Sequence, residues 1–281
     1  MSSVAIVIAT FRRPDALREV VTGVLAQAPD DAEIVVVDQS EPPSPQPSRV
    51  RVLTRKPGLP AARNSGIAAT TAPIVLFLDD DVRLHPGCIA AHLAAYRDPT
   101  VGGVVGRIVE RSLRPNARTT TNRVDPGGRI VTRLDGPLPV EVDTLKGANM
   151  SFRRAALVDA GPFDERYGGT ALLEDADLST RVRAEGWRLV YAPDAAVDHL
   201  HLPVGGVRRA DRVETERWRF RNTGYFVRRH RGRRAAPRLV ATFGAIAVAR
   251  AVRWGRPDLV TRLLAALAEG WAEAARTPSS R

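Results

Sequence analysis

Short apolar runs alternate with helix-like segments through the first part of the chain. Four runs rich in valine and isoleucine are typical of buried strands: residues 4–9, 33–38, 50–53 and 74–78. Between them, residues 14–25 place apolar side chains on one face of a helix that begins at Pro14, and residues 59–69 predict a helix of small residues. This alternation predicts an α/β fold whose mainly parallel, Rossmann-like sheet is flanked by helices.

The pattern becomes less regular after residue 109. Residues 110–142 are rich in Arg, Thr, Pro and Gly and show little periodicity, which predicts a long loop of the kind that serves as a lid or a binding loop. Regular structure is predicted on either side of it: strands at 101–109 and 187–191, structure resuming at 144–152, and helices at 153–160 and 174–185. The predicted fold therefore continues to about residue 204.

The last quarter of the chain carries the excess positive charge. The net charge is +11, and from residue 205 onward 18 arginines stand against six acidic residues, a net of +12. Eleven arginines between 208 and 234 are interleaved with Trp218, Phe220, Tyr225 and Phe226, and an apolar run at 239–249 follows. We expect a basic, amphipathic helical extension that lies on an anionic membrane surface, the alternative being a helical cap on the rest of the protein. No recognised nucleic-acid module surrounds these arginines, so no nucleic-acid partner is expected.

Composition limits the remaining possibilities. The 281 residues are 44% hydrophobic and 26% charged, which is ordinary for a globular protein. Cys88 is the only cysteine, which excludes a disulfide within the chain and a cysteine zinc cluster and fits a reducing, cytoplasmic compartment. We expect no signal peptide, and no span of the bilayer because no run of 18 apolar residues occurs.

The strand at 74–78 ends in three consecutive carboxylates, Asp79, Asp80 and Asp81. Adjacent negative charges repel one another, and a divalent cation such as Mg²⁺ or Mn²⁺ would relieve that repulsion because it prefers carboxylate oxygen. The carboxyl ends of strands are also where open α/β sheets bind ligands. A metal and phosphate site is therefore favoured over an acidic turn without function.

Three further segments offer chemistry. Glu174 and Asp175 open a predicted helix, where they would either complement the helix dipole or act as a general base. His199 lies beyond the strand at 187–191 and could be structural or a metal ligand. Arg63 lies among small residues that permit close approach, so it could meet a phosphate or a base.

Several enzyme classes are disfavoured by the residues that come directly after the strands. No G-x-G-x-x-G stands after the first strand, which argues against a dinucleotide dehydrogenase. A sugar nucleotidyltransferase would need a glycine-rich basic loop where residues 10–14 stand. A phosphatase with a D-x-D-x-T motif would need threonine at the position of Arg83.

Seven ordered motifs resemble those of the family 2 glycosyltransferases: residues 4–14, 34–40, 62–66, 77–81, 146–154, 161–165 and 174–178. The match covers roughly residues 3–201. The resemblance implies a GT-A fold and an inverting reaction. It also implies a division into a catalytic domain at 1–204, with a nucleotide-binding half at about 1–109 and an acceptor half at about 143–204, and a helical extension at 205–281.

The resemblance also implies roles for individual residues. Asp79 and Asp81 would form the D-x-D pair, with Asp81, Asp79 and His199 holding the metal, and Asp175 of the Glu174–Asp175 pair would be the catalytic base. Residues expected to contact the nucleotide sugar are Thr10, Arg12, Asp38, Arg63, Asp79 and Asp80. Asp38 would contact the base, although Gln39 stands where a second acid is more common.

The predicted function is therefore metal-dependent transfer of a sugar from a nucleotide-diphosphate sugar to a hydroxyl acceptor. The acceptor would be a glycan, a glycolipid or a small molecule, and the enzyme would be cytoplasmic or peripheral on the inner face of the membrane, in cell-surface glycan or glycolipid assembly. The alternative is a catalytically silent glycan- or lipid-binding scaffold of the same fold. The intact set of Asp79, Asp81 and Asp175 favours an enzyme.

Overall fold

The computed structural model describes residues 3–110, 120–202, 205–206 and 211–277. Its strands are β1 (Ala5–Thr10), β2 (Glu33–Asp38), β3 (Val50–Thr54), β4 (Ile74–Asp79), β5 (Val82–Leu84), β6 (Val101–Glu110), β7 (Thr121–Val124), β8 (Ile130–Arg133), β9 (Val140–Glu141), β10 (Asn149–Arg153) and β11 (Arg188–His199). Its helices are α1 (Pro14–Leu25), α2 (Leu59–Ala68), α3 (Cys88–Ala95), α4 (Arg154–Ala160), α5 (Glu174–Ala184), α6 (Arg212–Arg231), α7 (Ala236–Trp254) and α8 (Asp258–Arg276).

A mixed sheet organises the first 200 residues. In the described ranges its strand order is β3-β2-β1-β4-β10-β6-β11-β5, with β9 paired to β11. The strands β3, β2, β1 and β4 run parallel, β10 is antiparallel to both of its neighbours, and β11 is parallel to β6. The strands β7 and β8 form a separate antiparallel hairpin. The predicted α/β class, with a Rossmann-like mixed sheet, flanking helices and C-terminal helices, is confirmed.

Close packing of α2 on β1 sets the position of the site. The centres of β1 and β2 are buried on both faces, as their continuous valine and isoleucine runs predict. A Cβ atom on Gly66 would lie 2.3 Å from Cγ1 of Val7, so only glycine lets the helix lie this near the strand. This contact holds α2, with Arg63 in its second turn, beside the carboxyl ends of the strands.

The C-terminal helices share a hydrophobic core with the sheet-bearing part. Tyr167 and Leu173, from the loop before α5, are buried in one cluster with Phe220, Tyr225 and Phe243 of α6 and α7. The rings of Tyr167 and Tyr225 meet edge to face, with centroids 5.2 Å apart. The division of the chain at 204 stays a prediction, and residues 203–204 and 207–210 lie outside the described ranges.

Two glycines let α6 and α8 approach until their backbones touch. A Cβ atom on Gly224 would lie 2.1 Å from the carbonyl oxygen of Leu267, and one on Gly270 would lie 1.8 Å from that of Arg221. Both distances are far below van der Waals contact, so the crossing of the two helices requires glycine at both positions.

Several elements differ from the sequence-based expectation. The predicted loop at 110–142 contains the β7–β8 hairpin and β9, while residues 111–119 lie outside the described ranges. The strand predicted to end at 191 continues to His199, because a shift in pairing between Ala192 and Val197 carries β11 past Pro193. The sequence pattern predicted neither the short strand β5 nor the helix α3.

The aromatic residues of α6 pack in the interior, and the expected contact of the helical extension with a membrane stays a prediction. Phe220, Tyr225 and Phe226 are buried, and a Cβ atom on Gly169 would lie 2.1 Å from the ring of Trp218. Many arginines of α6 have acidic partners within the protein, as in the pair of Arg217 with Glu214. An amphipathic pattern alone does not reveal which surface covers the apolar face. For α6 that surface is the rest of the protein.

Among the described residues, one segment is long and apolar enough to cross a bilayer by length and composition. The helical segment Arg233–Trp254 has 22 residues and is largely exposed. The search for an unbroken apolar run did not identify this segment, because a few charged residues lie near its two ends. The expectation that the chain does not span a bilayer stays a prediction.

Candidate active site

The carboxyl ends of three parallel strands converge on one edge of the sheet. Thr10 ends β1 and is in register with Asp38 at the end of β2, and Ala9 is in register with Asp79 at the end of β4. Asp80 and Asp81 form the turn that leads directly from β4 into β5. The ends of adjacent parallel strands are a common place for ligands, and here they collect four carboxylates.

Three of the predicted residues form a group that could hold a metal ion. One ligand atom from each of Asp79, Asp81 and His199 lies within 4.8 Å of the others. Antiparallel pairing of β11 with β5 sets His199 opposite Val82, and its Nε2 lies 3.2 Å from Oδ1 of Asp81. The Nδ1 atom of His199 is buried and has no hydrogen-bond partner among the described residues. Two carboxylates and an imidazole fit Mn²⁺ or Mg²⁺.

Arg13, which the sequence analysis did not select, neutralises the acidic turn. Its Nη1 lies 2.8 Å from Oδ1 of Asp80 and 3.0 Å from Oδ2 of Asp81, and its Nη2 donates to the carbonyl of Leu202. Arg12 points to the surface, and its backbone N–H donates to Ser40. The two arginines are adjacent in sequence, so only the backbone after β1 decides which one turns inward. The nucleotide-sugar contact of Arg12 stays a prediction.

Asp80 and Asp81 differ electrostatically although they are neighbours. Burial alone would raise the pKa of Asp81, but the hydrogen bond and charge of His199, with the charge of Arg13, lower the pKa to about 2. Burial raises the pKa of Asp80, against the opposing effects of Arg13 and of the hydrogen bond that Thr10 donates at 2.7 Å. Asp81 is therefore ionised across the physiological range, as a metal ligand must be.

Asp38 is fully buried and holds the loop after β2. Its two carboxylate oxygens accept from the backbone N–H groups of Ser40 and Ser44 at 2.8 and 2.7 Å. Gln39 lies nearer the cleft, accepts from the N–H of Gly58 and lines the pocket beside the strand ends. The predicted contact between Asp38 and the base of the donor stays a prediction.

Arg63 connects the strand-end carboxylates to the start of α5. Its guanidinium, which is buried, pairs with Glu174, lies 3.2 Å from Oδ1 of Asp79 and donates to the carbonyl of Gly147. A Cβ atom at residue 147 would lie 2.6 Å from Nη2 of Arg63, so a larger residue there would displace the guanidinium. The backbone N–H of Gly147 in turn donates to Asp175 at 2.9 Å.

Glu174 and Asp175 stand in different environments. Glu174 is buried against Arg63, and burial raises its pKa to about 8 against the effect of that cation. Asp175 is half-buried and faces a pocket, and burial also raises its pKa, against the hydrogen bond from Gly147. Both carboxylates line the second pocket and both have a raised pKa, but Glu174 is buried and paired with Arg63, whereas Asp175 is half-buried. The greater exposure of Asp175 favours it as the general base of the pair.

Two pockets meet at the metal group. The first pocket lies at the strand ends and includes Thr10, Arg13 and Gln39 in its walls. The second pocket, of about 180 Å³, lies between the β7–β8 hairpin, residues 144–148 and residues 170–176. Asp79 and His199 line both pockets, so the candidate metal ligands stand at their junction.

A buried ionic network centred on Asp177 fixes the position of α5, a role that the sequence did not predict for this residue. Asp177 lies 2.7 Å from Nε2 of His230 and 2.9 Å from Nη2 of Arg181, and it accepts from the hydroxyl of Tyr167 at 3.2 Å. Burial alone would raise its pKa, but His230, Arg181 and Arg229 lower it. Asp177 is two residues from Asp175, so α6 anchors the helix that presents the candidate base.

The C-terminal helices also support the hairpin that covers the second pocket. Arg231 of α6 donates to the backbone carbonyls of Asp125 and Val124, at the turn between β7 and β8. On the same turn, a Cβ atom on Gly127 would lie 2.5 Å from Oγ1 of Thr242 in α7. The second pocket is thus walled by the sheet-bearing part and held in place by α6 and α7.

Comparison with known proteins gives a consistent assignment. Residues 5–159 match the model of the family described as glycosyl transferase family 2, which is more than half of the chain. The pre-mycofactocin glycosyltransferase of Mycobacterium tuberculosis is 37% identical over 148 residues, covering 51% of this chain and 30% of the relative. The N-acetylglucosaminyl-diphospho-decaprenol L-rhamnosyltransferase of the same organism is 34% identical over 144 residues, covering 44% and 46%. The chain spans less than half the length of either relative.

Solved structures share the fold at low identity. GalNAc-T7, solved with UDP, GalNAc and Mn²⁺, superposes with a TM-score of 0.63 at 17% identity over 81% of this chain and 48% of that one. The mannosyltransferase of Pyrobaculum calidifontis, solved with GDP-Man and Mn²⁺, gives a TM-score of 0.55 at 17% identity over 98% and 87%. These likenesses confirm the predicted GT-A fold.

Proposed function

The chain belongs to glycosyl transferase family 2, and on that premise we propose that it moves a sugar from a nucleotide-diphosphate sugar to an acceptor hydroxyl, with inversion and with a divalent cation. The observation that carries this proposal is the junction of the two pockets at Asp79 and His199. The first pocket would receive the nucleotide and its diphosphate, and the second would receive the acceptor. The sugar would then lie between them.

Asp79, Asp81 and His199 are the residues that would hold the cation, and their oxygen and nitrogen atoms suit Mg²⁺ or Mn²⁺. A bound cation supplies a Lewis acid that neutralises the charge developing on the leaving diphosphate. The Mn²⁺ present with both structural neighbours supports this assignment. Arg13, which already lies against Asp80 and Asp81, adds positive charge beside the same position.

Asp175 would act as the general base. It would take the proton of the acceptor hydroxyl while the acceptor oxygen bonds to the anomeric carbon and the bond from that carbon to the diphosphate breaks. One displacement from the opposite face inverts the configuration and needs no covalent nucleophile. Glu174, buried against Arg63, would position the start of α5 and not meet the acceptor.

The acceptor class is proposed from the relatives and from the wall of the second pocket. One relative is named for a decaprenol-linked acceptor, which supports a lipid-linked glycan in cell-surface glycan or glycolipid assembly. Val124, Ile130 and Leu172 give the second pocket apolar surface beside the polar Asn122 and Thr144. Such a mixed lining suits an acceptor with both sugar and apolar character.

A panel of nucleoside diphosphates tests the proposal. Thermal unfolding of the purified protein should shift upward with one of UDP, GDP or TDP when Mn²⁺ is present, because a ligand that binds only the folded state stabilises it. The matching nucleotide sugar should then be hydrolysed slowly, with the metal required. Stabilisation without hydrolysis would favour a silent scaffold of the same fold, and no stabilisation by any of the three would contradict the donor assignment.

A further inference from the structure

The outer face of α7 is an exposed apolar surface. We define this face as Val240, Ala241, Ala245, Val248 and Val252, all of which are exposed, with Val252 at 77%. From 239 to 249 the helix carries no charged side chain. The opposite side of α7 is buried in the protein through Leu239, Phe243, Ala247 and Ala251, so the outer face is not needed for folding.

Exposed arginines border this face at both ends. Arg233, Arg234 and Arg238 stand at the start of α7, and Arg253 stands near its end. All four side chains are exposed. An apolar stripe bordered by guanidinium groups complements the surface of an anionic bilayer, where apolar side chains enter the boundary of the acyl chains and the arginines meet phosphate groups.

From this arrangement we propose that the outer face of α7 rests on the surface of an anionic lipid bilayer, with the helix axis in the membrane plane. A second copy of the chain is a poorer occupant, because either orientation of two α7 helices would bring arginines against arginines. A crossing of the bilayer is also disfavoured, since α7 would have to leave the apolar cluster that it shares with Phe220 and Leu263.

The proposed surface lies beside the second pocket. Thr242 and Leu239 of α7 contact Gly127 and Gly128 at the turn of the β7–β8 hairpin, and the same hairpin supplies Val124 and Ile130 to the pocket wall. A bilayer on α7 would therefore lie against the helix that supports the hairpin of the second pocket. The membrane contact itself does not depend on the sugar-transfer proposal, and it is tested without donor or acceptor.

Vesicle co-sedimentation of the full chain is the test. The protein should sediment with vesicles of phosphatidylcholine mixed with phosphatidylglycerol, much less with phosphatidylcholine alone, and less as salt rises, because the Debye length falls to about 3 Å at 1 M. Val252→Asp should lower the partition coefficient on the order of tenfold, because it places a charge in the apolar face. Val158→Asp is the matched control, since Val158 is 74% exposed on α4, and it should bind as the unchanged protein does.

A second pair of substitutions tests the charged borders. Arg234→Gln with Arg238→Gln should lower partitioning by about fivefold for each arginine removed. Circular dichroism and thermal unfolding check that every variant is folded. Equal binding to neutral and anionic vesicles, binding that persists at 1 M salt, or an equal loss with Val158→Asp would overturn the proposal. A dimer of the unchanged protein that Val252→Asp converts to monomer would overturn it in favour of a second copy.

Discussion

The two pockets that meet at Asp79 and His199 are built in opposite ways. The first pocket is made mainly from residues near strand ends, such as Thr10 and Asp80, and its charges are paired between neighbouring strand ends, as Arg13 is with Asp80. The second is walled by segments from residue 59 to residue 199, and its supports come from α6 and α7. The order of strands in the sheet therefore determines the first pocket, whereas the second depends in addition on the packing of the C-terminal helices.

This difference suggests a division of tasks. On the proposed function, the strand-end pocket would bind the part that all donors share, a nucleotide with two phosphates. The second pocket depends on a hairpin and on C-terminal helices that can differ among relatives without disturbing the sheet. Specificity for the acceptor would then depend on how the C-terminal helices and the hairpin pack against the sheet-bearing part.

Asp175→Asn should give the largest effect. Turnover should fall on the order of 10²–10⁴-fold with donor affinity retained, because an amide cannot accept the acceptor proton. In the unchanged protein, turnover should rise with pH through a pKa above the ordinary aspartate range, because burial raises the pKa of Asp175 and the base must be ionised. Steady-state kinetics for both substrates provide the measurement. A larger loss in Glu174→Gln would exchange the two roles.

Asp177→Asn should destabilise the protein by about 3–5 kcal/mol, because it leaves the cations of Arg181 and Arg229 without their buried partner. The folded-state pKa of Asp177 is lowered, so its ionisation stabilises the fold above about pH 4 and this contribution is lost as the pH falls through the lowered pKa. Denaturant unfolding at several pH values measures both effects. Asp194→Asn, at an exposed position, is the control. Equal destabilisation by both substitutions would contradict the proposed stabilising role of the buried Asp177.

Asp81→Asn should weaken the metal dependence of nucleotide binding. An amide is a poorer ligand than a carboxylate, and we expect apparent Mn²⁺ affinity to fall roughly 10–100-fold. Calorimetric titration of Mn²⁺ in the presence of a nucleoside diphosphate measures the change, with the exposed Asp15→Asn as control. Unchanged affinity in Asp81→Asn would place the metal elsewhere, and His199→Ala should act in the same direction more weakly.

Arg231→Ala should give the smallest effect and should distinguish the pockets most sharply. Loss of its bonds leaves the carbonyls of Val124 and Asp125 without a donor, at a cost of roughly 1–3 kcal/mol in the hairpin. We expect KM for the acceptor to rise several-fold while KM for the donor is unchanged. Arg276→Ala, exposed on α8, is the control. Equal changes in both constants would show that the hairpin supports the whole cleft.

The sequence was informative where chemistry and secondary structure coincide. The run that ends in Asp79–Asp81 marks a strand and its ligand edge within a few residues, and the structure brings His199 and Asp81 together as expected. Which of two adjacent arginines turns inward could not be predicted, because Arg12 adopts a left-handed backbone conformation at φ 55° that no pattern signals.

The supports of the site could not be predicted because their partners are distant. Asp177 and His230 are 53 residues apart, and a histidine near the end of an arginine-rich helix gives no sign that it meets a buried carboxylate. The α3 helix was missed for a related reason. Its His92 is buried to bond Asn149 and Ser151, so its buried face is not marked by apolar side chains alone.

The paired glycines of α6 and α8 bear on how this protein can be diversified. At positions 224 and 270 the first added carbon already collides with backbone atoms. Alanine should therefore be nearly as damaging there as a bulky residue. Libraries that aim to change the acceptor can vary the positions of the hairpin that line the second pocket, such as Val124 and Ile130. They must leave these two glycine positions untouched, because α6 supports the hairpin and can pack on α8 only with glycine at both positions.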